Sequence, residues 1–305
     1  MHGGTSWAER EVLDFSDNLN PLGPPQRLIE LIREAVERKV YLKFPANLAE
    51  EVLSEYEGVN VTLFNGATEA LEVALSSLRP KRLLLPWPTY SDYVRIARAF
   101  GLEVVRGELG ELVRRAEPRD VLILCNPNNP TGALFRRDQV LELNRALSLR
   151  GASLIVDESF LDFVEEESAA PDVLVVKSYG KILAVPGLRL GAILGDIDPD
   201  LKPPWRVNSI ADYAVYHIGS EALRGHRAAT REYVSAESPR VQDALSKCVD
   251  VFKSPLHFFI IRGRTDVVKI RPLDDLGLAG LSRVSIKGRE ENDILIKALC
   301  VASNR

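Results

Sequence analysis

Apolar positions recur at helical spacing over 26–41, where RLIELIREAVER sets Leu, Ile, Ala and Val on one stripe, and again over 48–56. Between these two predicted helices lies KFPAN, a loop by its Pro and Asn. From residue 61 the pattern changes. Short continuous apolar runs at 61–64, 82–85, 102–105, 121–124, 153–156, 173–176 and 190–194 read as buried strands. Amphipathic stretches at 69–78, 91–100 and 137–149 fall between them. Strands without polar alternation are buried on both faces, so this βαβα order predicts an α/β fold, a mostly parallel seven-stranded sheet with helices on both sides. The first 25 residues, with HGG at 2–4 and DFSDNLNPLGPP at 14–25, are dense in turn formers and predict an ordered coil arm.

At 305 residues the chain is long for a single core. The expected division is a large domain over 26–210 and a small α+β domain assembled from 1–25 and 211–305. Hydrophobic residues at 46% and charged residues at 27% describe an ordinary globular protein. A net charge of -4 gives no reason to expect nucleic acid or an anionic membrane as partner. No apolar run approaches the roughly 20 residues of a membrane span, and MHGGTSWAEREV has no signal-peptide core, so a cytoplasmic location is expected. Cys125, Cys248 and Cys300 are odd in number and lack CxxC spacing; the expectation is buried thiols in a reducing compartment, not a disulfide or a zinc set. A single Met beside abundant Arg and Glu points to a hot-living source.

The chemistry gathers where the strands end. In an open parallel sheet ligands collect outside the carboxyl ends of the strands, and NGAT (65–68), PTY (88–90), NPNNPTG (126–132), DES (157–159) and SYGK (178–181) all stand at such ends. Lys181 follows a buried strand, where loss of water lowers an ammonium pKa and frees the amine as a nucleophile or imine partner. Arg189 brings a fixed positive charge suited to a phosphate. Gly66, Ala67 and Thr68 stand just before a helix, whose unsatisfied N–H groups hold a phosphate well; the first two let the backbone come near and Thr68, like Ser178, adds a hydroxyl. Taken alone, Thr68 is equally an ordinary helix cap. Asp157, partly desolvated, suits a protonated ring nitrogen. Asn129, between two prolines, can donate to a phenolate oxygen, and Tyr90 offers a flat face for a ring. A ring nitrogen, a phenolate, an aldehyde and a phosphate together describe pyridoxal 5'-phosphate.

These fragments, in this order, resemble the class I/II aminotransferase group of pyridoxal-phosphate enzymes of fold type I, and the resemblance runs over nearly the whole chain. It rests on NPNNPTG, then VDES, then a lysine eight residues before an arginine within GLRLG. The resemblance implies that Lys181 is the imine partner and catalytic base, Asp157 the pyridinium partner and Asn129 the contact to the ring oxygen. Tyr90 stacks on the ring, while Gly66, Ala67, Thr68, Ser178 and Arg189 hold the phosphate. It also implies a homodimer with active sites at the subunit interface.

Two branches of that group act on amino compounds carrying a phosphate ester: histidinol-phosphate aminotransferases and the L-threonine-O-3-phosphate decarboxylases of cobalamin biosynthesis. HGG at 2–4, DFSDNLNPLGPP, Phe160 in DESFLDF, and RVSIKGREEN at 283–292 are more similar to the decarboxylase branch. Carried over by position, His2, Asn18, Arg271 and Arg283 become substrate-binding candidates for a small phosphorylated amino acid. A transaminase and a non-catalytic binding homologue stay as alternatives. The chain departs from the group's pattern at Gly180, Phe44 and His257, and its arm is short.

Overall fold

The computed structural model describes residues 3–9 and 12–302. Seven strands, β1 (Val61–Asn65), β2 (Arg82–Pro86), β3 (Glu103–Gly107), β4 (Asp120–Cys125), β5 (Ser153–Asp157), β6 (Leu174–Ser178) and β7 (Leu190–Leu194), make one sheet in the order β1-β7-β6-β5-β4-β2-β3. Neighbours from β3 to β6 pair in parallel, and β7 runs antiparallel to both of its partners. The helices are α1 (Gln26–Glu37), α2 (Ala49–Glu57), α3 (Gly66–Leu78), α4 (Asp92–Ala99), α5 (Leu109–Arg114), α6 (Arg137–Ser148), α7 (Tyr179–Ile182), α8 (Ser209–Ile218), α9 (Ser220–Leu245) and α10 (Arg289–Ala302). A second, antiparallel sheet has the order β10-β11-β9-β8, from β8 (Val251–Phe252), β9 (Phe258–Arg262), β10 (Arg271–Pro272) and β11 (Leu281–Ser285). No described helix is long and apolar enough to cross a membrane.

The continuous apolar runs are explained by where their alternate residues go. Successive side chains of a strand point to opposite faces. Leu122 and Leu124 of β4 join one apolar cluster with Leu28 of α1, Val52 of α2 and Ala214 of α8, and that cluster continues to Phe258 of the second sheet. Val121, Ile123 and Cys125 join another, with Ala70 and Leu71 of α3 and Tyr93 and Ile96 of α4. Each fully buried Leu or Ile in these layers contributes roughly 1.5–3 kcal/mol relative to exposure.

Several predicted boundaries move, each for a local reason. α1 stops at Glu37 because Lys39 adopts a left-handed backbone, and 40–42 form a separate 3₁₀ turn. α3 begins at Gly66, three residues earlier than the predicted 69–78, so Gly66, Ala67 and Thr68 belong to its first turn while Asn65 ends β1. α5, six residues long, is too short to show a periodicity. The arm joins the second sheet's edge: Asp14 bridges to Lys269, and the Ser285 N–H donates to the Phe15 carbonyl at 2.9 Å. One expectation is overturned. Cys248 and Cys300 form a disulfide, with Cα atoms 5.1 Å apart, and only Cys125 is a free buried thiol among the described residues. The two cysteines are 52 residues apart in sequence, and the packing of α10 on α9 brings them together.

Candidate active site

At the carboxyl ends of β4, β5 and β6 a cavity of about 220 Å³ opens between the main sheet, the second sheet and the arm.

Its floor is built on Asp157, the last residue of β5 and 7% exposed. The carboxylate accepts from the Tyr93 hydroxyl at 2.6 Å, the Ser159 hydroxyl at 2.5 Å and the Ser159 N–H at 3.0 Å. Burial, with Asp157 beside it, pushes the Tyr93 hydroxyl pKa well up, so this phenol stays a donor. Tyr90 stands edge-on to Tyr93, ring centroids 5.4 Å apart, and forms a wall. Burial, then the charges of Asp92 and Asp157, push its hydroxyl up to about 12. Tyr93 does not stand out in sequence, because a buried Tyr near a strand end has many ordinary explanations, and Ser159 entered only as part of DES.

A cradle for an anion lies at the start of α3. Asn65 gives that helix no side-chain cap, so its first N–H groups are left for another acceptor. Gly66 has φ +85°, and a Cβ there would lie 2.5 Å from the Arg189 guanidinium. Gly191 of β7 is equally constrained: a Cβ would meet the Ala67 nitrogen at 2.0 Å. The two glycines therefore let helix, strand and arginine converge on one point, with Thr68 and Ser178 lining the same side.

Lys181, on the short helix α7, lines the cavity; burial, then repulsion from Arg283, lowers its pKa to about 8, with Arg189 adding to the repulsion. Lys177 is the instructive contrast. Its ammonium contacts Glu57 at 2.8 Å and Asp162 at 3.0 Å, and burial against its charge is overcome by these acids, so its pKa is raised. Lys181 has no carboxylate at ion-pair distance among the described residues.

The three asparagines of NPNNPTG separate by role. Asn126 exchanges hydrogen bonds with the Phe135 backbone at 2.8 and 2.9 Å, and Asn128 braces Pro88 and Thr131. Asn129 faces the cavity. Its Oδ1 accepts from Arg283 Nη1 at 2.6 Å, which leaves the amide N–H₂ as its donor. Arg283 also donates to the Ser16 carbonyl at 2.5 Å, and its Nε has no partner. Burial, then the nearby Arg271, lower the guanidinium pKa to about 9. Arg271 is the direct cross-strand neighbour of Arg283 and donates to Asp275 at 2.8 Å. Asn18 is 3% exposed, lines the cavity, and its Oδ1 is likewise without a partner.

Of the residues singled out in sequence, Asn18, Ala67, Thr68, Tyr90, Asn129, Asp157, Ser178, Lys181, Arg189, Arg271 and Arg283 all line this one cavity. Gly66 lies just behind it under Arg189. His2 falls outside the described residues. Gly3, Asp17 and Cys125 line the cavity without having been foreseen as site residues. The donor set fits pyridoxal 5'-phosphate: an uncapped helix start with Arg189 for a phosphate, Asp157 for a ring nitrogen, Asn129 for a ring oxygen and Lys181 for an aldehyde.

The family model for aminotransferase class I and II matches residues 10–253. The threonine-phosphate decarboxylase of Salmonella typhimurium is 29% identical, over 95% of this chain and 90% of that protein. The histidinol-phosphate aminotransferase of Desulfitobacterium hafniense is 30% identical, over 92% and 89%. The crystal structure of histidinol-phosphate aminotransferase from Clostridium acetobutylicum superposes with a TM-score of 0.84 at 22% identity, covering 96% of this chain and 99% of that one. With family and fold both matched along most of its length, the chain belongs to the class I and II aminotransferase family, and it is an enzyme of the pyridoxal 5'-phosphate type.

Proposed function

We propose that the enzyme decarboxylates a small phosphorylated amino acid, L-threonine O-3-phosphate being the best fit. The carrying observation is Arg283: a buried guanidinium on the cavity wall, bonded among the described residues to the neutral Asn129 and Ser16 oxygens, with its Nε unpartnered among them and Arg271 directly opposite. A buried charge without a counter-ion is costly, so the site calls for an anionic group on the substrate. Because the start of α3 and Arg189 can take the cofactor phosphate, Arg283 is left for a second anion beside Arg271, which Asp275 already pairs, and the substrate offers both a carboxylate and a phosphate. The unpartnered Asn18 Oδ1 accepts from a substrate donor. Phe160, on the cavity wall, adds no hydrogen bond there.

When bound, the cofactor supplies the electron sink that lets a bond to the amine-bearing carbon break. Asp157, fixed by Tyr93 and Ser159, would hold the cofactor's ring nitrogen. Lys181 has about a tenth of its amine neutral at pH 7 with its pKa at about 8, and so can take up or return a proton. Arg283 and Arg271, on the cavity wall, would bind and orient the substrate's anionic groups. The arm closes this side: Gly3 lies against the Ser16 carbonyl and within 3.2 Å of Arg283 when extended by a Cβ.

The test is incubation with L-threonine phosphate while carbon dioxide is followed. Release of carbon dioxide supports the reading. Glutamate formed from histidinol phosphate only in the presence of 2-oxoglutarate would replace it with an aminotransferase. We also propose a homodimer, because Tyr41, Leu42, Phe44 and Trp205 are each more than half exposed and Phe44 stacks on Trp205 at 4.2 Å, leaving an apolar surface uncovered.

A further inference from the structure

The lysine of the site is carried on a helix of only four residues, α7, whose Lys181 carbonyl accepts from the Ala184 N–H just past its end at 3.2 Å. Further bonds to its last two carbonyls come from the arm. The Asn20 backbone N–H donates to the Lys181 carbonyl at 3.1 Å, and its side-chain amide donates to the Ile182 carbonyl at 2.8 Å. The same amide donates to the Thr230 hydroxyl at 2.7 Å, and Thr230 donates to the His226 carbonyl at 2.8 Å, so the clamp is anchored to α9. His226 Nε2 lies 2.9 Å from the Asn20 amide and 3.1 Å from the Ile182 carbonyl. Asn20 is 4% exposed, and its Oδ1 holds the Leu22 N–H at 3.0 Å. Two residues upstream, Asn18 lines the substrate side of the cavity, as does Asp17.

We propose that Asn20 is a positioning residue: by holding two successive carbonyls of α7 it aims the Lys181 side chain into the cavity. A helix of one turn has little stability of its own, so its orientation is set by what caps it. The inference rests on Lys181 being the reacting amine, but not on which phosphorylated substrate is used. Lys181 is half-buried, and the charges of Arg283, Arg189, Asp17 and Asp157 act on its amine. Loosening α7 admits water to the amine and relieves its desolvation.

The experiment compares the full-length protein with Asn20→Ala and Thr230→Val. Each protein, stripped of cofactor, is labelled with acetic anhydride over neutral to alkaline pH, and modification at Lys181 is read by peptide mass spectrometry. The loaded forms are titrated by visible absorbance, with Lys181→Ala as the blank. In the parent the labelling midpoint should lie at about 8. In Asn20→Ala it should move toward the ordinary lysine value of about 10.4, with kcat falling more than KM rises. Thr230→Val keeps both contacts to α7 and should leave the midpoint in place while lowering the melting temperature. An Asn20→Ala midpoint equal to the parent's, with only stability lost, overturns the proposal. A Lys181 that reacts like a surface lysine in the parent overturns it together with the site assignment.

Discussion

Two lysines four residues apart show how environment, not residue type, assigns a role. Lys177 is locked between Glu57 and Asp162 and stays charged; Lys181 faces the cavity among arginines and gives up its proton more easily. Arg283 follows the same logic from the other sign. Replacing it with Ala should raise KM for the phosphorylated substrate by about 30-fold or more, on the order of 2 kcal/mol, while cofactor affinity changes little. Equal loss of both, measured by kinetics and cofactor titration, would reassign it. His257 gives a pH prediction. It is fully buried against Phe163, with Nε2 3.1 Å from the Asn18 carbonyl, and burial lowers its pKa to about 3. The unfolded chain takes up a proton near 6.5, whereas the folded protein keeps the ring neutral. Stability is therefore intact above that pH and is lost as pH falls, by about 2 kcal/mol at pH 5. His257→Asn should flatten that slope in urea unfolding between neutral pH and pH 5.

Among the elements, the junction of β1, α3 and β7 is the most tightly determined. Its two glycines are demanded by contacts that a Cβ would occupy, at Gly191 by backbone and at Gly66 by a guanidinium. Gly191→Ala should cost about 1–3 kcal/mol or more from overpacking and weaken cofactor binding with it; a stable variant with unchanged cofactor affinity would show that the junction gives way without consequence. The strands were readable because a strand buried on both faces is one apolar run. The short α5 and the 3₁₀ turn at 40–42 were not, since neither is long enough to show a period.

For the molecule as a whole, the disulfide and the apolar surface make separate claims. Cys248–Cys300 closes a loop spanning 52 residues, so the Cys248→Ser, Cys300→Ser double variant should lose about 2–4 kcal/mol. Equal urea midpoints for parent and double variant would remove the disulfide as a source of stability. The stacked Phe44–Trp205 pair should lie in a subunit contact. Sedimentation should give twice the chain mass, and Phe44→Asp with Trp205→Asp should shift it toward the monomer; a monomeric parent would rule the homodimer out.

The order of apolar runs and the polar fragments that end them determined the α/β layering, and placed eleven of the residues singled out for the site on one cavity. That much is local information: period, turn chemistry and the need to bury apolar area act over a few residues at a time. The bond from Tyr93 to Asp157, the clamp of Asn20 on α7, the opposition of Arg271 to Arg283 and the cysteine pairing depend on contacts between segments 12 to 162 residues apart. No spacing in the chain encodes these. They exist because folding closes the arm and the second sheet over the strand ends, and burial there decides which lysine is free, which asparagine faces a ligand and which charge awaits a counter-ion.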